Sequence, residues 1–320
     1  MRICILSDEI FGDIDYSPYL SRHQWEVRNV KRPALDFIQA LEAREHYDLY
    51  LNQCDACADE DRPGVDVILA LEQLNLPFTG SSSDFYEPTR EQMEVVAKRQ
   101  GVGFARGVRV TSLKTLDRKV AGFRYPLIVK HPNSYASVGL TPNSRVETEA
   151  KLREQVQRNL DRYGAARVEE FIEGREFSVL IVDNPDDLSD PYVYPPAETI
   201  FPPGESFKHE IIKWEYIPDM QIVGVEDEAL ASRLQDMVRR MYLGLNGVGY
   251  GRADIRMDSN GGLFMLELNS NCALFYPPEE QDIANSIIAL DPDGYDGLLD
   301  RMFRTAFLRH RRLAEARQLA

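Results

Sequence analysis

Four polar residues near the end of the chain have the types and the spacing that could do chemistry. They lie in GYGRADIRMDSNGGLFMLELNSN (249–271), where two β-rich runs flank Asn260-Gly261, a dipeptide typical of a hairpin turn. A two-residue turn at that dipeptide and a four-residue turn over 259–262 both pair the residues of the two runs in the same register. Alternate residues of a strand share a face. One face of the hairpin is therefore expected to carry Asp254 opposite Glu267 and Arg252 opposite Asn269.

This polar face predicts a cation site. Two carboxylates directly opposite each other on a ladder repel, and a partly buried sheet rarely keeps such a pair without a cation between them. Carboxylate and amide oxygens suit Mg²⁺ that is held jointly with substrate phosphates. The alternative interpretation is a solvated polar face on which Arg252 neutralises the acids. The opposite face of the hairpin is expected to be apolar, formed by Ile255, Leu266 and Leu268.

The elements that must position this hairpin indicate an α/β protein. Strand-like runs alternate with helical patterns at the N-terminus, which predicts a parallel α/β layer up to about residue 85. Amphipathic helical patterns follow at 89–100, 148–163 and 228–245, and strand-like runs at 125–130, 168–172 and 176–182. We predict three domains, with the limits 1–85, 86–185 and 186–320.

Composition and charge exclude several classes of protein. The 320 residues carry a formal charge of −15, which disfavours a general nucleic-acid binder. No apolar run approaches the roughly 20 residues that span a bilayer, and the N-terminus lacks the pattern of a signal peptide. The four cysteines include one C-x-x-C pair, Cys54 and Cys57, which is half of a four-ligand zinc site. The sequence predicts a reduced, cytoplasmic protein.

Further segments, taken in order along the chain, resemble the ATP-grasp superfamily and within it the D-alanine–D-alanine ligase-like group. The matching text is YPLIVK (125–130), NSYASVGL (133–140), VEEFIEGREFSV (168–179), SFKHEIIKWEY (206–216), GRAD (251–254) and LELN (266–269). The resemblance implies an ATP-grasp fold, in which an N-terminal parallel α/β domain precedes two α+β lobes that clamp ATP. It also implies two Mg²⁺ ions, which Mn²⁺ could replace.

The resemblance assigns roles to individual residues of this chain. Asp254, Glu267 and Asn269 would hold the metal, and Arg252 would stabilise an acyl phosphate and the later tetrahedral centre. Lys213 would reach the γ-phosphate and act in catalysis. The remaining residues that would contact ATP are Lys130, Ser137, Gly139, Glu169, Glu170, Phe171, Ile172 and Glu176.

The departures from the family pattern concern the substrates. The serine that binds the second substrate's carboxylate in the family has no counterpart after Asn269, and Glu91-Gln92 replaces an Asp-Lys pair, so that Arg90 could supply the missing phosphate contact. The first lobe lacks the family's glutamate, for which Asp8 or Glu9 could serve. The residues predicted to face the substrates are Glu9, Trp214, Ala273 and Tyr276.

These features predict an ADP-forming ligase that joins a small-molecule carboxylate to an amino acid or other amine through an acyl phosphate. The missing serine favours specialised small-molecule or peptide biosynthesis over D-alanine–D-alanine ligation, which stays an alternative. A kinase or a carboxylating enzyme with the same ATP-binding fold is another alternative. A regulatory protein that binds nucleotide without turnover is the alternative from a different class. We expect no nucleic-acid or membrane partner, and a homodimer is compatible with the resemblance.

Overall fold

A computed structural model describes residues 1–9, 14–57, 60–133, 137–210, 220–277 and 282–318, with the backbone alone for 316–318. The strands in these ranges form one parallel and two antiparallel sheets, so the predicted α/β class with two α+β lobes is confirmed. Within the same ranges, no helix combines the length and the apolar composition that crossing a bilayer requires.

The N-terminal lobe is a parallel sheet with the strand order β2-β1-β3. The apolar run at the N-terminus forms its central strand, where residues are covered on both faces and are therefore almost all apolar. The elements of this lobe are β1 (Arg2–Ser7), α1 (Ser17–Leu20), β2 (Gln24–Asn29), α2 (Ala34–Glu42), β3 (Leu49–Asn52) and α3 (Val65–Gln73).

The central lobe is an antiparallel sheet with the order β4-β7-β5-β6. The elements of this part of the chain are α4 (Arg90–Gln100), β4 (Gly107–Val110), α5 (Leu116–Lys119), β5 (Leu127–Lys130), β6 (Arg145–Val146), α6 (Glu149–Tyr163) and β7 (Ala166–Glu170), with 3₁₀ turns at Leu113–Thr115 and Pro142–Ser144. Helix α6 begins after the N-cap Thr148 and ends at Gly164, and it covers the sheet with Leu152 and Val156.

The third sheet is antiparallel, with the order β11-β10-β8-β12-β13, and β9 pairs with β8. It holds the predicted hairpin at one edge. The elements are β8 (Arg175–Val182), β9 (Tyr192–Val193), β10 (Ala197–Ile200), β11 (Gln221–Gly224), α7 (Glu228–Gly244), β12 (Tyr250–Met257), β13 (Leu263–Asn269), α8 (Ile283–Ala289) and α9 (Gly294–Gln318).

The pairing of β8 bears on the predicted domain limits. This strand lies between β10 and β12, although the predicted limit at residue 185 puts it in the central lobe. The chain crosses between the two antiparallel sheets at Gly174, where φ is +136° and an added Cβ would lie 2.0 Å from the Met257 carbonyl oxygen. We therefore propose that the boundary between these lobes lies at this glycine.

Candidate active site

A cleft with about 790 Å³ of open space lies between the two antiparallel sheets. Most of the residues predicted to contact ATP or metal lie along it: Lys130, Ser137, Glu169, Glu170, Phe171, Ile172, Glu176, Asp254 and Glu267. The remaining lining residues include Arg90, His131, Lys208, Arg256 and Leu266. The cleft therefore brings together residues that are more than half the chain apart in sequence.

The hairpin β12–β13 has the predicted pairs at the site. Asp254 lies opposite Glu267 and Arg252 opposite Asn269. Leu266 differs from the prediction, because the register shifts between Asp254 and the next residue of β12 and a bulge results. Leu266 consequently lines the cleft instead of joining the apolar face, where Met265 is fully buried in its place.

Each of the two facing carboxylates has a buried cation close to it. The guanidinium of Arg90 donates to the Glu267 carboxylate and, at 3.0 Å, to the carbonyl of Leu266. Ser178 donates to Asp254 Oδ1 at 2.5 Å, and Arg252 Nε lies 3.9 Å from the same oxygen. Burial opposes the charge on Arg252, but Asp254 together with Cys272, Asp282 and Tyr276 outweighs it, and the pKa of the guanidinium lies above its usual value.

The donor set of the hairpin fits a hard divalent cation. Asp254 and Glu267 offer carboxylate oxygens, and Asn269 offers an amide oxygen whose position is fixed by the backbone N–H of Asn271 at 3.1 Å. The described part of the chain contains no cluster of three or more His, Cys, Asp or Glu side chains that could hold a metal. The third protein donor would accordingly be the amide, as the sequence predicts.

Lys130 and Glu169 form a buried ion pair on the opposite wall of the cleft, with 2.6 Å between Nζ and Oε2. Burial lowers the pKa of Lys130, although Glu169 opposes the shift. Burial acts to raise the pKa of Glu169, but Lys130 and Arg167 outweigh it and lower the pKa overall. Arg167 is 1% exposed and donates to Glu169 at 2.9 Å. Glu169 therefore serves as the anionic partner of two buried cations.

Glu176 is also paired with two cations, both of which the sequence analysis missed. Lys208 Nζ lies 3.0 Å from its carboxylate, and Arg256 Nη1 lies 3.6 Å from it. Lys208 also lies 3.4 Å from the hydroxyl of Ser178. It belongs to the same SFKHEIIKWEY segment as Lys213. Phe207 next to it lines the same cleft, and neither residue lies in a strand, so no periodic pattern in the sequence marked Lys208.

The segment NSYASVGL (133–140), which resembles the family's flap over ATP, is described from residue 137 onwards. Ser137 donates to the carbonyl of Lys208 at 3.1 Å, which holds the segment against the opposite sheet. Gly139 has φ +73°, a conformation that favours glycine, and an added Cβ would lie 2.5 Å from the Tyr163 hydroxyl. Lys213 and Trp214, for which the sequence analysis also made predictions, lie outside the described residues.

The residues predicted to face the substrates do not form one group. Glu9 is exposed and pairs with Lys31 at 2.7 Å, away from the cleft. Ala273 and Tyr276 are half-buried in the segment that follows the hairpin. Burial raises the pKa of Tyr276, and Asp282 adds to the shift, so its phenol is neutral. Its backbone carbonyl accepts a hydrogen bond from the hydroxyl of Tyr19.

An acidic cluster lies at the carboxyl edge of the parallel sheet. Asp8 follows β1 and Asp55 follows β3, and both lie beside Arg62, which also contacts Glu60 at 2.5 Å. Asp8 is 3% exposed. Ligands of open α/β sheets commonly bind at this edge. Asp8, rather than Glu9, is thus the acidic residue that the fold holds at the end of the first strand.

The cysteines do not support metal or redox chemistry. All four are free, and the nearby Cys54 and Cys57 are not joined. Cys272 follows the hairpin but is 1% exposed, and burial raises the pKa of its thiol to about 12. A thiol in that environment is protonated at neutral pH and is a poor nucleophile.

The pKa of Asp55 predicts a pH dependence of folding. Burial raises it to about 6, although Arg62 opposes the shift. Because the folded state binds this proton more tightly than the unfolded chain, the group's contribution to stability is complete below about pH 4 and is lost as the pH rises through 6. The wild type should lose this stabilisation as the pH rises, whereas Asp55→Asn should not. The unfolding free energy of Asp55→Asn minus that of the wild type should therefore increase by about 1–3 kcal/mol from pH 4 to pH 8. Urea denaturation at both pH values measures this gain, and a pH-independent difference would contradict the assignment.

Comparisons with known proteins agree with the geometry. The family described as "D-ala D-ala ligase C-terminus" matches residues 101–274. The D-alanine–D-alanine ligase of Mannheimia succiniciproducens is 28% identical over 221 residues, which are 65% of this chain and 67% of that protein. The enzyme of the same name from Enterococcus faecalis is 26% identical over 62% of this chain and 58% of its own length. The matched regions thus span about two thirds or less of these relatives.

Solved structures share the fold over nearly the whole chain. The D-alanine–D-alanine ligase of Bacillus anthracis, complexed with ATP, has a TM-score of 0.72 at 16% identity and covers 98% of this chain and 99% of its own. The VanG D-Ala:D-Ser ligase of Enterococcus faecalis has a TM-score of 0.73 at 13% identity, with 95% and 99% covered. At these identities the likeness establishes the ATP-grasp fold.

Proposed function

The chain belongs to the family of the D-ala D-ala ligases, ATP-grasp enzymes that form an amide bond, and we propose that it joins D-alanine to a second D-alanine with conversion of ATP to ADP. The observation that carries the proposal is the polar face of β12–β13. Its two carboxylates, Asp254 and Glu267, line the cleft, and the buried Arg252 lies opposite Asn269 farther along the same face. Relatives named for this reaction favour D-alanine–D-alanine ligation over the specialised ligase that the sequence analysis preferred.

The chain's own residues would supply binding, orientation and charge. The ATP phosphates would lie between Lys130 on one wall and the hairpin on the other. Asp254, Glu267 and Asn269 would hold Mg²⁺, which when bound neutralises phosphate charge. In the first step a substrate carboxylate oxygen bonds to the γ-phosphorus and the bond to ADP breaks. The guanidinium of Arg252, kept charged by Asp254, would stabilise the negative charge that develops on the substrate.

In the second step an amine attacks the acyl carbon, and inorganic phosphate leaves. The attacking amine must first give up its ammonium proton, to water or to a nearby carboxylate. The carboxylates at the edge of the parallel sheet, Asp8 and Asp55, would instead hold the ammonium group of the first substrate, whose carboxylate is phosphorylated. Positioning and charge stabilisation account for the acceleration, and no side-chain nucleophile is needed.

One observation favours a second candidate, in which the acceptor is not D-alanine. Ser270 directly follows the hairpin, but its hydroxyl is fully buried and donates to the Tyr86 carbonyl. In the described stretch 270–277 it is the one serine, so a carboxylate of the acceptor would need another partner. A ligase that joins D-alanine to a different amine is consistent with this arrangement.

ADP release with Mg-ATP distinguishes these candidates. D-alanine alone is compared with pooled carboxylates plus amino acids, and the product mass identifies the amide. Turnover with D-alanine alone supports the proposed function. Turnover that requires the mixed pool supports the second candidate, and ATP binding without turnover in either assay would indicate a regulatory protein.

We also propose a cytoplasmic homodimer. Four free cysteines suit a reducing compartment. Sedimentation velocity of the full chain tests the dimer, and a monomer at micromolar concentration would contradict it.

A further inference from the structure

The cleft has an aromatic part and an anionic part. Phe171 and Phe207 line it together, with their ring centroids 5.8 Å apart. Asp254 and Glu267 line it on the hairpin. A nucleotide has an aromatic base at one end and, at the other, phosphates that bind a divalent cation. It would accordingly lie with its base towards the phenylalanines and its phosphates towards the carboxylates.

The ammonium group of Lys208 lies between these two parts. Its Nζ is 3.0 Å from a carboxylate oxygen of Glu176 and donates to the hydroxyl of Ser178 at 3.4 Å. Glu176 and Ser178 are alternate residues of β8 and therefore share one face of that strand. Ser178 pairs with Asp254 of the neighbouring strand and donates to its carboxylate at 2.5 Å. Lys208 thus stands on the path along β8 from Glu176 to Asp254.

Glu176 has a second cationic partner, which is fixed independently of Lys208. Arg256 donates to two backbone carbonyls at 2.9 and 2.8 Å, and its guanidinium lies 4.7 Å from the ring centroid of Phe171. Its Nη1 lies 3.6 Å from the Glu176 carboxylate. Glu176 is therefore on the aromatic side of Lys208. It would also keep a cation beside it if the ammonium of Lys208 moved away, so that movement would not leave a buried charge unpaired.

The backbone of Lys208 is held in place by the segment 137–140. Ser137 donates to the carbonyl of Lys208 at 3.1 Å, and the backbone N–H of Glu210 donates to the carbonyl of Leu140 at 3.0 Å. The lysine side chain itself is a flexible four-carbon stem. Its ammonium can consequently change partners while the backbone on which it is carried stays where it is.

We propose that Lys208 binds a phosphate group of the nucleotide, and that its ammonium exchanges the Glu176 carboxylate for phosphate oxygens when the nucleotide enters. A phosphate chain that runs from the aromatic part of the cleft to Asp254 has to pass the position of this ammonium, which can donate three hydrogen bonds. Arg256 stays beside Glu176, and the oxygen that Lys208 leaves can accept from a sugar hydroxyl. The inference rests on the proposed function, because it presumes that the cleft binds ATP.

Calorimetric titrations of the full chain with adenosine and with Mg-AMP-PNP test this role, because only the second ligand carries phosphates. Lys208→Met should weaken the binding of Mg-AMP-PNP by about 10–100-fold, the effect expected of a hydrogen bond to a charged group. The affinity for adenosine should stay within about twofold of the wild type, since its binding uses no charge on Lys208. Lys208→Arg keeps the charge and should recover most of the affinity for Mg-AMP-PNP.

Lys151→Met is the matched control, because it removes an exposed lysine of α6 that pairs with Glu154. Both of its affinities should stay within about twofold of the wild type. Lys208→Gln can still donate to Glu176 but lacks the charge, and it repeats the test if Lys208→Met does not fold.

Equal weakening of both ligands in a folded variant would show that Lys208 has only a structural role, and it would overturn the inference. So would an affinity for Mg-AMP-PNP that stays within about twofold of the wild type when the charge is removed. A wild type that binds neither ligand would overturn the proposed function, and the inference with it.

Discussion

Glu267→Gln should lower the rate of ADP formation by about 10²–10³-fold, a loss comparable to that of a single strong electrostatic contact in other active sites. The substitution removes the charge that faces Asp254 across the hairpin but keeps the size of the side chain. The amide oxygen can still accept from Arg90, so the fold should be retained. The measurement is steady-state ADP release, with thermal unfolding as the check on folding.

Glu173→Gln is the matched control for this prediction. Glu173 is an exposed glutamate that pairs with Arg145 at the surface, and its neutralisation should leave the rate within about twofold of the wild type. Wild-type rates from folded Glu267→Gln would show that the carboxylate has no part in catalysis, and the metal assignment would be wrong.

Arg252→Met should lower kcat by about 10²–10³-fold with a much smaller change in KM for ATP. Arg252 is nearly buried, and its guanidinium is kept charged next to Asp254, which suits a group that stabilises charge developing on the substrate. Arg252→Lys should not restore the rate, because an ammonium cannot reproduce the planar guanidinium geometry.

The control is Arg153→Met, which removes an exposed arginine of α6 that pairs with Asp117 and Glu149. It should keep kcat near the wild-type value. If Arg252→Met instead raised KM for ATP at unchanged kcat, Arg252 would be a residue of nucleotide binding, and its assignment to the developing charge would be wrong.

The sequence predicts the elements well where local signals are strong. Helix α6 is an example, since the N-cap Thr148 and the C-terminal Gly164 mark its ends in the sequence and in the structure alike. The pairing of Asp254 with Glu267 is another example, although two differences between the predicted and the observed hairpin cancel each other there. The observed turn is one residue shorter than the predicted one, so that Met257 pairs with Leu263. The extra residue in the bulge before Glu267 then restores the predicted pair. A bulge depends on tertiary contacts such as that of Leu266 with Arg90 and leaves no local signal.

The pairing of charges in the cleft is beyond what the sequence can reveal. Lys208 and Arg256 both neutralise Glu176, yet they come from different elements that meet only when the third sheet forms. Arg90 and Glu267 lie more than half the chain apart. The sheet to which β8 belongs is equally hard to predict, because the apolar sequence of this strand fits either antiparallel sheet. Only its pairing with β10 and β12 places it in the third sheet. Such long-range choices depend on packing, and a single sequence does not encode them in any local pattern.

The formation of an acyl phosphate is tested most directly by following an oxygen atom. The carboxylate that supports turnover is labelled with ¹⁸O, and the phosphate released with Mg-ATP is analysed by mass spectrometry. If the carboxylate attacks the γ-phosphorus, one labelled oxygen should appear in each inorganic phosphate formed with the amide. Phosphate without label, at the same yield of amide, would contradict the mechanism assigned to this cleft.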